Sequence, residues 1–139
     1  MAKSALSLKR GELQKFEDIE LLKACAYWLT GVGQRFVSEK NFTKDLADGV
    51  VLCNVLCIVK GSGVSSESFH KVAPNGSLKA KENLISFQVA TKRLNLPYTF
   101  SLDDLEKQNL SKICSTILFL AHVCHSQGVG IDGKDTVLI

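Results

Sequence analysis

No stretch of this chain has the length and unbroken apolarity of a membrane span, which excludes insertion into a bilayer through a helix. A signal peptide is missing too, because Lys3, Lys9, Arg10 and Glu12 interrupt any apolar run between Met1 and Leu13. There is no dense stripe of basic residues. Lys and Arg together number 17 against 14 Asp and Glu, and a net charge of +3 is too small to point to nucleic acid. Internal repeats, low-complexity blocks and alternating apolar–polar strands are absent as well, so neither a repeat array nor a β architecture is expected. Aromatic residues are only 7% of the chain, with a single Trp at Trp28.

What is present suits one helical domain. With 139 residues, 45% apolar and 22% charged, the chain can bury a single good core. Five cysteines are an odd number, and Cys25, Cys53, Cys57, Cys114 and Cys124 all fall in apolar helical windows. There a free thiol acts as a small hydrophobe, which predicts a cytoplasmic protein in a reducing compartment. Basic residues cluster at the start (Lys3, Lys9, Arg10, Lys15) and in the middle (Lys60, Lys71, Lys79, Lys81, Lys92, Arg93). Solvated surface charge is the first reading of both clusters; a mild attraction to acidic filaments or anionic lipid is the functional one. The sequons at Asn41, Asn75 and Asn109 read as helix-start chemistry.

Periodicity places the helices. Residues 1–15 are polar and predict a flexible arm, and 127–139 a tail or linker closing on Val137-Leu138-Ile139. For that terminus, packing against the domain or continuation into a longer chain is the first reading and capture by a PDZ-type groove the second. Between them, Leu21, Cys25 and Trp28 predict a first helix from Glu17 to Leu29, ended by Gly31-Val32-Gly33. Thr43 is the expected N-cap of a short turn. Next comes Asp45-Leu46-Ala47-Asp48-Gly49-Val50-Val51-Leu52-Cys53, whose continuation is apolar on two adjacent stripes as far as Lys60. A helix of that kind belongs in the middle of a domain. Residues 61–76 have loop composition, with Phe69 and Val72 expected to pin them to the core. Ser77 caps an amphipathic helix to Leu94, broken by Asn95-Leu96-Pro97. Ser101 and the acidic pair Asp103-Asp104 start a short helix. Asn109 or Ser111 then opens a second buried helix through Ile113, Ile117, Leu120 and Cys124.

The residues that could carry chemistry do not assemble into a site. Gly61-Ser62-Gly63 lacks the Gly-Lys-Ser/Thr ending of a phosphate loop. Asp103, Asp104 and Glu106 lack the alternating ligand spacing of a calcium loop. Cys124 and His125 are adjacent on a helix and point about 100° apart, so they cannot share a proton directly. The remaining alternative is a zinc or redox site from Cys53 and Cys57 on one helix with His122 and His125 on another. The cysteines sit in a strongly apolar helix, and neither pair forms a tight knuckle. The expectation is therefore no enzyme, no cofactor and no metal.

An ordered set of segments carries a family resemblance. Trp28 on the first helix comes first, then Asp45 to Cys53, then Glu82-Asn83-Leu84-Ile85-Ser86-Phe87 with Leu94-Asn95-Leu96-Pro97. Phe100-Ser101-Leu102-Asp103-Asp104-Leu105 and Ser111 to Leu118 complete it. The succession resembles the calponin homology domain over residues 16–126. The resemblance implies a compact all-α bundle of four main helices with short connecting ones. It places Trp28, Gly49, Leu52, Leu56, Leu84, Phe87, Leu105 and Ile117 in the structural core. The final helix is similar to those of single-copy members such as calponin, transgelin-like proteins and Vav-like or PIX-like Rho exchange factors. That implies an adaptor or regulatory interaction module of a cytoskeletal or signalling protein, associated with the cytoskeleton. Its partner would be a protein: F-actin bound weakly, microtubules, or a Rho-signalling protein. A filament would be met through the first and last helices, with Lys15, Lys23 and Lys112 as candidate contacts.

Overall fold

The structure is a computed structural model that describes residues 19–128. The N-terminal arm, Lys15 and the Val137-Leu138-Ile139 terminus lie outside the described residues. All regular structure among the described residues is helical, in six helices: α1 at 19–32, α2 at Phe42–Leu46, α3 at Val50–Cys57, α4 at Leu78–Arg93, α5 at Leu102–Glu106 and α6 at Leu110–Ser126.

The two doubly apolar segments become the centre. Val51, Leu52, Cys53, Val55 and Leu56 of α3 are fully buried, as are Ile113, Ile117, Leu120 and Cys124 of α6. Trp28 and Leu29 of α1, Leu84 and Phe87 of α4, and Leu105 of α5 close around all of these but Cys53 in one cluster, while Cys53 packs with Val50 and Phe69. The Phe87 and Phe100 rings meet at 4.9 Å. The Cys25 thiol lies 3.9 Å from the Cys114 carbonyl, while Leu22 and Leu110 line one groove. Together these contacts set α1 and α6 side by side in the same direction.

Several boundaries differ from the pattern read in the sequence. The first helix runs past Gly31, which faces solvent, and stops at Gly33. A Cβ on Gly33 would lie 2.6 Å from Val51 Cγ1 and 2.7 Å from the Leu29 carbonyl, so a glycine is needed where α1 meets α3. Helix α2 begins at Phe42, not after a Thr43 cap. Its start is organised from outside: Asp45 Oδ2 accepts from the Ser38 N–H at 2.9 Å, and Ser38 Oγ accepts from the Asn41 N–H at 3.0 Å. Helix α3 ends at Cys57 rather than Lys60. Ile58 and Val59 tighten into i→i+3 bonds, and the Ser62 hydroxyl takes up the Leu56 carbonyl at 2.7 Å. Phe69 packs on Val50 and Cys53, but Val72 is 79% exposed and pins nothing.

Other local chemistry follows residue type. Ser77 Oγ accepts from Ala80 N–H at the start of α4. Ser101 and Asp104 form a reciprocal capping box on α5. Asn109, at the N-cap of α6, makes no capping bond. Gly49 adopts φ +73°, and a Cβ there would lie 2.6 Å from Asn83 Cβ. This bare glycine lets α4 approach closely enough for Asn83, itself fully buried, to tie three segments. Its amide nitrogen donates to the Asp48 and His70 carbonyls at 2.9 and 2.8 Å, and its oxygen accepts from His70 N–H at 2.8 Å. The anchor of the 61–76 loop is thus a buried amide on α4.

Candidate partner-binding furrow

A run of connected grooves follows the segment from Phe36 to Ala47. The first, about 400 Å³, lies between α1 and the loop after it, with Lys23, Tyr27, Phe36 and Lys40 on its walls. The second, about 210 Å³, shares Glu39 and Lys40 with it and reaches Leu22 of α1 and Leu110 of α6. A third, about 250 Å³, shares Thr43, Lys44 and Gln108 with the second and ends against Leu105 and Glu106 of α5. Shared lining residues set the three side by side, and together they form a furrowed face along α2.

The loop that forms its rim is held by hydrogen bonds at every turn. Thr30 Oγ1 donates to the Ala26 carbonyl at 2.8 Å and accepts from Val37 N–H at 2.9 Å. Asn54 donates to the Gly33 carbonyl at 2.9 Å. Arg35 pairs with Asp48 at 2.6 Å, while the other Asp48 oxygen caps the Val50 N–H at 3.0 Å. Between these anchors Phe36 stands 72% exposed, and Tyr27 opposite it is 66% exposed. Two apolar rings in water on a fixed scaffold are the arrangement of an interface anchor. Lys40 and Lys44 form no ion pair among the described residues.

The candidate contacts from the sequence lie unevenly around it. Lys23 is on the furrow wall, 3.6 Å from Glu20 in an exposed pair worth little. Lys112 is committed to structure: its ammonium sits 3.2 Å from Asp104, the capping residue of α5. The Ser101 backbone N–H, followed by Lys112 and the Ser101 hydroxyl, holds the Asp104 carboxyl below its ordinary range against the opposing effect of burial. Sequence reasoning passed over Tyr27, Phe36, Lys40 and Lys44. The available signal was that Tyr27 falls off the Leu21–Cys25–Trp28 stripe, so its ring has to face away from the core.

The thiols take no part in this surface. Burial pushes Cys53 and Cys124 up to about 12, and Cys25 is raised by the neighbouring Cys114 and by burial. Cys53 donates to the Asn83 carbonyl at 3.5 Å. Protonated, buried thiols are poor nucleophiles. No group of three or more His, Cys, Asp or Glu side chains is placed to hold a metal ion among the described residues. None of the described helices is long and apolar enough to cross a membrane.

Comparison with known proteins agrees with this architecture. The kinesin-like protein KIN-14G of Arabidopsis thaliana is 39% identical over 89 residues, covering 60% of this chain and 9% of that protein. The chain therefore spans about a tenth of the length of the curated relative it matches. No solved structure gives a significant match. The family profile described as the calponin homology (CH) domain matches residues 19–126, from the first described turn of α1 to the last residue of α6, and the chain belongs to the CH domain family.

Proposed function

We propose that this CH domain is a non-catalytic protein-interaction module, adaptor or regulatory in role, that docks a cytoskeletal or signalling protein in the furrow along α2. CH domains bind actin or other cytoskeletal proteins, and the kinesin-like relative supports a cytoskeletal setting. The observation that carries the proposal is Phe36 and Tyr27 exposed on a hydrogen-bonded rim beside Lys23 and Lys40. Rings supply contact area at low entropic cost, and the lysines favour an acidic partner. The domain is taken as residues 16–126, and Rho-signalling proteins remain within the partner class.

Direct filament binding is the second reading, favoured by Lys23 standing exposed on α1, next to the Leu22 that shares a groove with Leu110 at the start of α6. Co-sedimentation with F-actin and with microtubules, at low and physiological salt, separates the two. Saturable pelleting at physiological salt that Phe36→Ala and Lys40→Glu abolish would make the furrow a filament site. Pelleting unaffected by those changes but lost on altering Lys15, Lys23 and Lys112 would move the site to the helices. No pelleting at physiological salt leaves the adaptor role, which then requires a partner whose capture from solution depends on Phe36. A partner captured equally by Phe36→Ala would sink the furrow.

A further inference from the structure

We propose that the end of the molecule where α3, α4 and α6 terminate is a second docking surface, fitted to an acidic polypeptide segment. Direct bonds bring these ends together. The Gln127 side-chain oxygen accepts from Lys60 N–H at 2.8 Å and its nitrogen donates to the Lys60 carbonyl at 3.0 Å, clasping the end of α6 to the turn that follows α3. Arg93, the last residue of α4, donates to the Ser62 carbonyl at 3.3 Å and lies across Gly63, where a side chain would collide with its guanidinium. Lys60 and Arg93 therefore share one end of the molecule, with Lys92 beside Arg93 in the last turn of α4, although 32 residues separate Lys60 from Lys92. All three are exposed, and none forms an ion pair among the described residues.

The absence of opposite charge is what singles this pole out. The stretches that run into it, 49–66, 83–102 and 107–128, contain no Asp or Glu. Glu67 is the nearest acidic residue along the chain to Lys60 and pairs with none of the three cations. Cations in the last turn of a helix complement its dipole, which accounts locally for Lys92 and Arg93. That effect fades within one turn. Burial of α3 and α6 accounts for most of the absence of carboxylates. At the exposed positions of the three ends, 58–63, 92–96 and 124–128, the fixed charges are Lys60, Lys92 and Arg93, with no carboxylate among them. The other lysines of the central sequence cluster part company here: Lys79 and Lys81 start α4, and Lys71 lies beside Cys57.

The surface suits a polypeptide better than a membrane. At the three ends themselves, 58–63, 90–96 and 124–128, only Ile58 is an exposed large apolar side chain, at 38%, so the ends offer little to insert into a bilayer. Val89, Tyr98 and Phe119 are exposed farther along the same stretches. Unpaired ammonium and guanidinium groups on rigid helix ends match a run of Asp or Glu side chains. The pole is also separate from the furrow. Helix α6 has 17 residues and touches the furrow at Leu110, so its far end stands about 25 Å away. The two surfaces can be occupied together, and either proposal can fail alone.

Fluorescence anisotropy of a labelled oligoglutamate peptide tests this, at low and at physiological salt. The wild type should bind saturably, and Lys60→Glu/Lys92→Glu should weaken binding by at least about tenfold while leaving the thermal melt unchanged. Lys40→Glu/Lys44→Glu makes the same change in net charge at the furrow and should weaken binding by less than about twofold. The proposal is overturned if the wild type does not bind the peptide even at low salt, or if both double variants weaken it equally. It is also overturned if phosphatidylserine-containing vesicles are bound through Lys60 and Lys92 while the peptide is not.

Discussion

Asn83 is where a single polar substitution should do the most damage. Its side chain makes three hydrogen bonds from a fully buried position, two to His70 and one to the Asp48 carbonyl. At about 1 kcal/mol net for each bond, Asn83→Ala removes roughly 3 kcal/mol. Leaving the His70 N–H and two carbonyls without partners adds to this. Water reaches part of the way, because His70 and Asp48 are only half-buried, so the total should stop near 3–4 kcal/mol. For a domain of this size that lowers Tm by roughly 12–16 °C. Urea unfolding followed by circular dichroism measures it, and the midpoint should move with the slope unchanged. Gly49→Ala attacks the same node from the other side, through left-handed strain of about 1–3 kcal/mol and contact with Asn83. The added methyl meets the Asn83 Cβ and backbone, which Asn83→Ala keeps, so α4 must shift away and loosen the same Asn83 bonds. The double variant should then cost less than the sum of the singles. A loss under about 1 kcal/mol for Asn83→Ala, or strict additivity with Gly49→Ala, would refute Asn83 as the tie between loop and helix.

Trp28→Ala should cost roughly 3–5 kcal/mol, but Trp28→Phe less than about 2, because the buried indole N–H has no acceptor among the described residues and its loss costs nothing. Equal losses in thermal melts would show that the indole N–H is satisfied after all. Asp104 has a depressed carboxyl, so its bonds contribute stability above the ordinary carboxylate range and lose it as pH falls through the lower folded value. Asp104→Asn should therefore melt below the wild type at neutral pH, and the gap should close below about pH 4; a gap constant between neutral and acid pH would contradict the linkage. Cys57 is half-exposed whereas Cys25, Cys53, Cys114 and Cys124 are buried, so a disulfide dye should find one fast thiol per native chain, abolished by Cys57→Ser. A second fast thiol would mean that the α3–α6 core opens readily.

Helical periodicity carries the core because burial is a repeating property. Val51, Val55, Ile113 and Ile117 recur on faces that a 3.6-residue period identifies without any knowledge of neighbours. The same rule fails at helix ends, where the deciding atoms come from elsewhere. Gly33 stops α1 because Val51 sits against it, and Ser38 with Asp45 starts α2 from outside the helix. Val72 is apolar in composition yet exposed, since the loop it belongs to is held by a buried amide on α4. Asn83 itself was legible only as part of a family-like segment, because a buried Asn and a solvated Asn look alike until their partners are known. Phe36 shows the converse. An aromatic residue in a loop is by default assigned to the core, and only the bonds on either side of it explain why its ring stays in water.

The two surfaces differ in what kind of information conceals them. The rings and lysines of the furrow lie close in sequence, Lys23 to Lys44, against walls supplied by α5 and α6, and a loop residue such as Phe36 follows no period that marks it as exposed. The pole joins Lys60 to Lys92 and Arg93 across a loop and a helix, so only folding converts a scattered basic cluster into a patch. Their chemistry differs in the same way. Exposed rings give the furrow a contact that salt does not screen, whereas the pole rests on charge alone and is screened within about 10 Å at ordinary ionic strength. A partner held only at the pole would exchange rapidly and respond to salt. One that first engaged Phe36 and Tyr27 and then reached the pole would gain from the short distance between them, because the second contact is made at high effective concentration. Helix α6 fixes that distance, so the rigidity of its buried stripe from Ile113 to Cys124 bears on recognition as well as on stability.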